Sequence, residues 1–229
     1  MGRAEPTSSK SSAGKADDVT PGDAALILAK RDPVIRRLVK EVGLPVFPKP
    51  QGTHFASLVQ SITYQQLAGG AARAIHQRLV QVLDNEVTPE RVLAASSGDL
   101  RHAGLSNSKV ASIIDLATKV SDHSLSLNGR RMARESDTEI ARQLTAVRGI
   151  GKWTADLFLM FRLRRMDIWP VGDLAVRRGY AAAWKIEMPT AKELETLGEP
   201  FRPYRSVAAY YCWRAARFNL ETRAVTGID

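Results

Sequence analysis

Cysteine is nearly absent from this chain of 229 residues: Cys212 stands alone, which excludes an internal disulfide and a cluster of thiolate ligands. The four histidines, His54, His76, His102 and His123, are scattered without the short spacings that let two side chains share a transition metal, so no such centre is expected. No apolar run has the length of a membrane span, and the first residues lack the apolar segment of a secretion signal. The protein is therefore expected inside the cell, with no membrane as partner. Runs that alternate with period two are also missing, which argues against strands. What remains is helical periodicity. An all-α fold with short loops and no repeat architecture is expected.

Residues 1–20, rich in Ser, Lys, Gly and Ala, read as a disordered tail. Structure is expected from near Asp23, where Leu26, Ile27, Leu38 and Val39 fall on two helical pieces divided at Asp32-Pro33. Gly43 and the prolines Pro45, Pro48 and Pro50 close this unit. Thr53 can cap a helix whose apolar face is Phe55, Leu58, Val59 and Ile62. That helix stops at the corner Tyr64-Gln65-Gln66-Leu67, before another with Ala72, Ile75, Leu79 and Val82. Thr88-Pro89-Glu90 opens a short helix, and Ser106 reads as the N-cap of one carrying Val110, Ile113, Ile114 and Ala117. Ser126 to Arg134 reads as a polar connector. Capping-box spacing recurs at Ser136/Glu139 and Thr190/Glu193, and Ser206 begins the last strong helix, with Val207, Tyr210, Tyr211 and Trp213.

Acidic residues are outnumbered, 24 Asp plus Glu against 33 Lys plus Arg, a formal net charge of +9. Much of the excess lies between Arg142 and Arg178, where Arg142, Arg148, Lys152, Arg162, Arg164, Arg165, Arg177 and Arg178 face only Asp156, Asp167 and Asp173. A basic run can be a solvated face, or a surface on which a polyanion docks. Within it, Arg148-Gly149-Ile150-Gly151 interrupts the helical period set by Ile140, Leu144 and Val147. Two glycines two positions apart let the backbone turn tightly and bring its N–H groups close to a ligand. A second helix follows, with Trp153, Leu157 and Met160 expected on one face. Its start would offer unpaired N–H donors and a positive dipole end to a phosphate. The string Gly151-Lys152-Trp153-Thr154 is not a nucleotide-triphosphate loop. That motif needs Gly at position 146 and Ser or Thr at 153, where this chain has Ala146 and Trp153. Farther on, Asp173 ends the turn Trp169-Pro170-Val171-Gly172, a place where a lone aspartate is ordinarily a helix cap.

These motifs together resemble the helix-hairpin-helix DNA glycosylases, in particular the 3-methyladenine (alkylated-base) DNA glycosylase II branch. The resemblance rests on four segments in order: Phe55 to Leu67, Gly104 to Lys109, the hairpin with its Asp173 turn, and Arg202 to Trp213. It implies a monofunctional enzyme of base excision repair that flips an alkylated base out of double-stranded DNA and hydrolyses its N-glycosidic bond, as a monomer, in the cytoplasm or on the nucleoid if bacterial. Asp173 is then the catalytic carboxylate. Trp153, Trp213, Tyr64, Leu157 and Leu174 line the base pocket. Gln65, Gln66 and Leu67 form the wedge, and Ser106 touches the minor groove. Arg148, Gly149, Gly151 and Lys152 grip phosphate. The backbone carbonyls of Thr145, Val147 and Ile150 hold a monovalent cation that is structural; no cofactor is required. Lacking further cysteines, the chain cannot carry the four-cysteine iron–sulfur cluster of some relatives. Where some members carry an aromatic residue, one turn after Trp153 or directly after Asp173, this chain has Leu157 and Leu174, which points to a looser pocket taking several alkylated bases.

Two alternatives stay open. A glycosylase with lyase activity uses a lysine amine; in such relatives the resemblance puts that lysine two residues after the second hairpin glycine, a position that here is Trp153, with Lys152 one residue early. A non-enzymatic helix-hairpin-helix module would grip DNA without needing Asp173, Trp213 or the wedge corner. The resemblance also implies two helical subdomains with a DNA-binding cleft between them: residues 21–48 plus 166–229 from both chain ends, and residues 50–165 containing the hairpin.

Overall fold

Local caps set where the helices of this chain begin, and the computed structural model describes them over residues 19–226. In chain order they are α1 (Pro21–Arg31), α2 (Pro33–Val42), α3 (His54–Tyr64), α4 (Gly69–Val82), α5 (Pro89–Ala94), α6 (Ser97–His102) and α7 (Asn107–Ser121). Then come α8 (Gly129–Met132), α9 (Asp137–Thr145), α10 (Lys152–Leu157), α11 (Leu174–Trp184), α12 (Ala191–Leu197) and α13 (Arg205–Thr226). Among the described residues there is no strand. The tail expected over residues 1–20 lies outside the described residues except at its end. There Thr20 is already structural, since it and Asp23 form a reciprocal capping box on α1.

Asp32 shows how one residue divides two helices. Its backbone is extended, its Oδ1 accepts from the amides of Val34 and Ile35 at 2.8 Å each, and Pro33 supplies the first turn with a preset φ. Thr53, Thr88, Ser106, Ser136 and Thr190 cap their helices in the same way. The box at Thr190/Glu193 closes in both directions, whereas that at Ser136/Glu139 is only half made. Ser136 accepts from the Glu139 amide, but the Glu139 carboxylate turns to Arg142 at 2.7 and 2.8 Å, which draws its pKa down to about 2. A cation one turn away competes with a neutral amide and wins.

The connector expected over Ser126 to Arg134 contains the single turn α8, capped by Asn128, which buries Met132. The second hairpin helix is likewise not uniform. After Leu157 the ladder widens to a π-helical turn, Phe158–Arg162, and the Leu163 amide reaches back to Phe158. Of the three residues expected on one face, Trp153 is exposed, Leu157 half-buried and Met160, inside the π turn, in the core.

Helices α1, α2, α11 and α13, from both ends of the chain, pack together, and α3 to α7 form the other group. The tightest approach in the first is Gly179 of α11 on α13, where a Cβ would overlap the Cys212 carbonyl. Leu28, Ile35 and Tyr211 are fully buried there, as are Leu58, Ile62, Leu79, Ile113 and Leu116 in the other group. Each such side chain contributes roughly 1.5–3 kcal/mol of burial. Arg162 joins the π turn to the entry of α3, donating to Gln51 O at 2.6 Å, His54 Nδ1 at 2.8 Å and Gly52 O.

Candidate functional site

The two hairpin glycines have different physical jobs. Gly149 sits at φ +75°, in the left-handed region, and a Cβ there would overlap Ser112 Oγ on α7. Gly151, at φ −92°, is the N-cap of α10, and a Cβ there would meet nothing in the protein. Gly149 therefore lets the hairpin seat on α7, while Gly151 keeps its outer side open. The Arg148 amide, free of the α9 ladder, donates to Asp115 Oδ2 at 2.8 Å. Burial works against the Asp115 charge, but Lys119 and the Arg148 amide outweigh it and hold the carboxyl below its ordinary range. The Arg148 side chain is exposed. Lys152 is turned along its own helix, with Nζ 2.9 Å from both oxygens of Asp156. That carboxylate is buried, and burial holds its pKa above the ordinary value against the pull of Lys152.

The corner after α3 stands beside the hairpin. Gln65 turns inward, and its Nε2 donates to Gly149 O at 2.9 Å and to Thr154 Oγ1 at 3.3 Å. Gln66, at φ +55°, and Leu67 project outward and are exposed. The residues expected as one wedge thus divide into an anchor and two projecting side chains. Between corner and hairpin lies an open cleft of about 930 Å³, lined by Tyr64, Gln65, Gln66, Leu67, Trp153 and Leu157 among others.

Trp153 is 47% exposed on that cleft. Core packing does not account for it. Its indole Nε1 donates to Asp173 Oδ2 at 2.6 Å, and this bond connects the cleft wall to a carboxylate that is only 8% exposed. Asp173 is also the N-cap of α11: its Oδ1 accepts from the amides of Ala175 at 2.7 Å and Val176 at 3.1 Å. The cap role and a chemical role are compatible, because one oxygen serves the helix and the other faces Trp153. All three partners are donors, the arrangement that an acceptor-only carboxylate satisfies. The helix start adds the positive end of its dipole. Behind Asp173 lies Cys212, whose thiol is pushed up by burial and further by the Asp173 charge.

Other expected site residues stand apart from the cleft wall. Leu174, the first residue of α11, is 44% exposed and does not line it. Nor does Trp213, which packs on Phe161 with ring centroids 5.7 Å apart and planes tilted by 30°. Phe161, absent from the expected site residues, is a partly exposed aromatic on the π turn; a phenylalanine directly before the basic run Arg162 to Arg165 was the available signal. Ser106 accepts from the Lys109 amide at 3.3 Å as a cap. Of the carbonyls expected to hold a cation, that of Val147 accepts from the Ile150 amide at 3.1 Å and keeps its second lone pair. Among the described residues no group of His, Cys, Asp and Glu could hold a metal ion, and no helix is long and apolar enough to cross a membrane.

An all-helical fold with a glycine hairpin seated beside a projecting corner and an open cleft defines a helix-hairpin-helix protein. The family model described as HhH-GPD superfamily base excision DNA repair protein matches residues 59–203. The chain belongs to this superfamily. It is 30% identical over 207 residues to DNA-3-methyladenine glycosylase 1 of Schizosaccharomyces pombe, covering 88% of this chain and 90% of that one. The solved structure of the S. pombe 3-methyladenine DNA glycosylase Mag1 in complex with abasic DNA superposes with a TM-score of 0.75 at 30% identity, over 85% of this chain and 96% of that chain. A DNA-3-methyladenine glycosidase from Bacillus halodurans gives a TM-score of 0.77 at 31% identity, over 89% and 92% of the two chains.

Proposed function

We propose that this chain is a monofunctional DNA glycosylase, acting as a monomer, which extrudes alkylated bases from double-stranded DNA and hydrolyses their N-glycosidic bond. The observation that carries the reading is the bond from Trp153, exposed on the cleft, to the buried and fully oriented carboxylate of Asp173. A module that only grips DNA needs no such carboxylate.

Removal of a base requires that it leave the stack, at a cost of a few kcal/mol. In this reading the amides of Gly149, Gly151 and Lys152 and the exposed Arg148 hold the phosphates, while Gln66 and Leu67 fill the space that the base leaves. The carbonyls of Thr145, Val147 and Ile150 would hold a monovalent cation that adds positive charge beside the phosphate. Ser106 and Lys152 lie at the margin of that footprint, and two subdomains, 21–48 plus 166–229 and 50–165, close on the duplex from either side.

Breaking the bond develops positive charge on the sugar. The Asp173 carboxylate stabilises that charge and orients the attacking water. A base that is already cationic, such as 3-methyladenine, leaves without a strong general acid, so one carboxylate suffices. Trp153, Tyr64 and Leu157 shape the pocket, and an aromatic face favours a cationic base by about 0.5–2 kcal/mol. With leucine in place of an aromatic residue at 157 the wall selects loosely, and several alkylated bases are substrates. Release of free base from duplex oligonucleotides, each carrying one modified base, tests the reading. No release from any alkylated duplex would overturn it.

A further inference from the structure

The corner that carries Gln66 and Leu67 is poorly held by its own backbone. Its two local bonds, Gln65 N to Ile62 O and Leu67 N to Tyr64 O, are both 3.4 Å long. At a helix C-terminus the last carbonyls lack partners within the helix. Here they are taken by a side chain from another helix: Lys109 Nζ donates to Thr63 O at 2.7 Å and to Gln65 O at 2.8 Å. Lys109 is half-buried, and a cation at the negative end of α3 is favoured by the helix dipole.

Lys109 does not act from an isolated point. Three and six residues on, the same helix supplies Ser112, on which Gly149 is seated, and Asp115, which accepts the Arg148 amide. The three positions span about 9 Å of α7 and fall within roughly a third of its circumference, given a rise of ~1.5 Å and ~100° per residue. One rigid face therefore fixes both the corner and the hairpin, and the Gln65 side chain ties the two directly through Gly149 O.

We propose that Lys109 is a positioning residue for base extrusion, holding the Gln66–Leu67 corner at a set height above the hairpin so that insertion into the duplex accompanies the phosphate grip. This rests on the glycosylase reading only for its consequence in excision, since insertion is measurable without any chemistry. Removal of the ammonium leaves two long backbone bonds and the Gln65 side chain to hold the corner. The hairpin keeps Asp115 and Ser112.

The test uses Lys109→Met and Lys109→Arg in the full chain with a duplex containing one tetrahydrofuran abasic analogue opposite 2-aminopurine. The parental chain is expected to change 2-aminopurine emission on binding. Lys109→Met should bind with nearly parental affinity yet lose most of that change at saturation, and Lys109→Arg, which keeps two donors, should restore it. Excision by Lys109→Met should fall about tenfold to a hundredfold on duplex substrate, the scale of a small misplacement, and remain near parental on a single strand. If Lys109→Met melts too low to assay, Lys109→Gln, which replaces the ammonium by a shorter neutral amide, carries the same test. An unchanged emission signal in the variant, a loss of affinity in step with the signal, or no emission change with the parental chain would each overturn the proposal. An emission change without base release by the parental chain would leave the brace standing and overturn the glycosylase reading instead.

Discussion

Substitution of the two hairpin glycines by alanine should have opposite consequences. At Gly149 the new side chain must adopt φ +75°, which costs an L-residue about 1–2 kcal/mol. Its Cβ also overlaps Ser112 Oγ and lies 3.2 Å from Ser112 Cβ, and Ser112 is buried and bonded to Ser108 O, so relief requires a backbone shift. Overpacking of that kind costs about 1–3 kcal/mol. Together the two effects come to roughly 2–5 kcal/mol, a large part of the ~5–15 kcal/mol that holds a domain folded. At ~2–4 °C per kcal/mol for a chain of this size, the melting temperature should fall by about 4–20 °C. Ser112→Ala in the same chain should recover part of the overlap and none of the φ cost. At Gly151 the same change meets no protein atom at an ordinary φ, so the loss is about 1 kcal/mol or less, that of alanine for glycine at an N-cap. Affinity for duplex DNA with an abasic analogue should nevertheless drop, because the Cβ occupies the side left open. Calorimetric melting and titration of the four chains decide the matter. A Gly149→Ala chain melting within about 2 °C of the parent, a shift worth less than ~1 kcal/mol, would refute the seating on α7.

Lys152→Met should destabilise in a pH-dependent way. The raised pKa of buried Asp156 means that its contribution is present below the ordinary carboxylate value and lost as pH rises through the folded value. Removal of Lys152 raises that value further, so the deficit against the parent should be small below the ordinary carboxylate value and grow as pH rises above it. A deficit constant across this range would exclude Asp156 as the group responsible. Borohydride added during reaction should trap no protein–DNA adduct, because Trp153 has no amine and Lys152 is committed to Asp156; a trapped adduct would revive the lyase reading. Replacing Gln66 and Leu67 by alanine should slow excision from duplex more than from a single strand, and equal losses would remove the wedge assignment.

The features legible in the sequence are those whose partners lie three or four residues away. Caps at Thr53, Thr88, Ser106 and Thr190 follow from a side chain and an amide in the same turn. The hairpin announced itself through paired glycines, and its superfamily through four short segments in order. What stayed hidden depends on distant partners. The Lys109 ammonium reaches carbonyls 44 and 46 residues away, and Gln65 reaches the hairpin 84 residues on, so neither pattern marks the local sequence. The bond from Trp153 to Asp173 has the same origin: two residues suspected separately meet because α10 and α11 start side by side. The π turn escaped because its residues, Phe158 to Arg162, have an ordinary helical composition. Half of the capping box at Ser136 was lost to an ion pair that spacing rules do not weigh.

The most direct test of the account is the single-turnover release of 3-methyladenine from duplex DNA by the parental chain and by Asp173→Asn. Asparagine keeps an oxygen for the amides of Ala175 and Val176 but sets an NH2 against the Trp153 indole, so the fold persists while the charge is gone. The variant should bind abasic-analogue DNA like the parent and release base about 10²–10⁴ times more slowly. Release at the parental rate would show Asp173 to be a helix cap alone and contradict the assignment of the site.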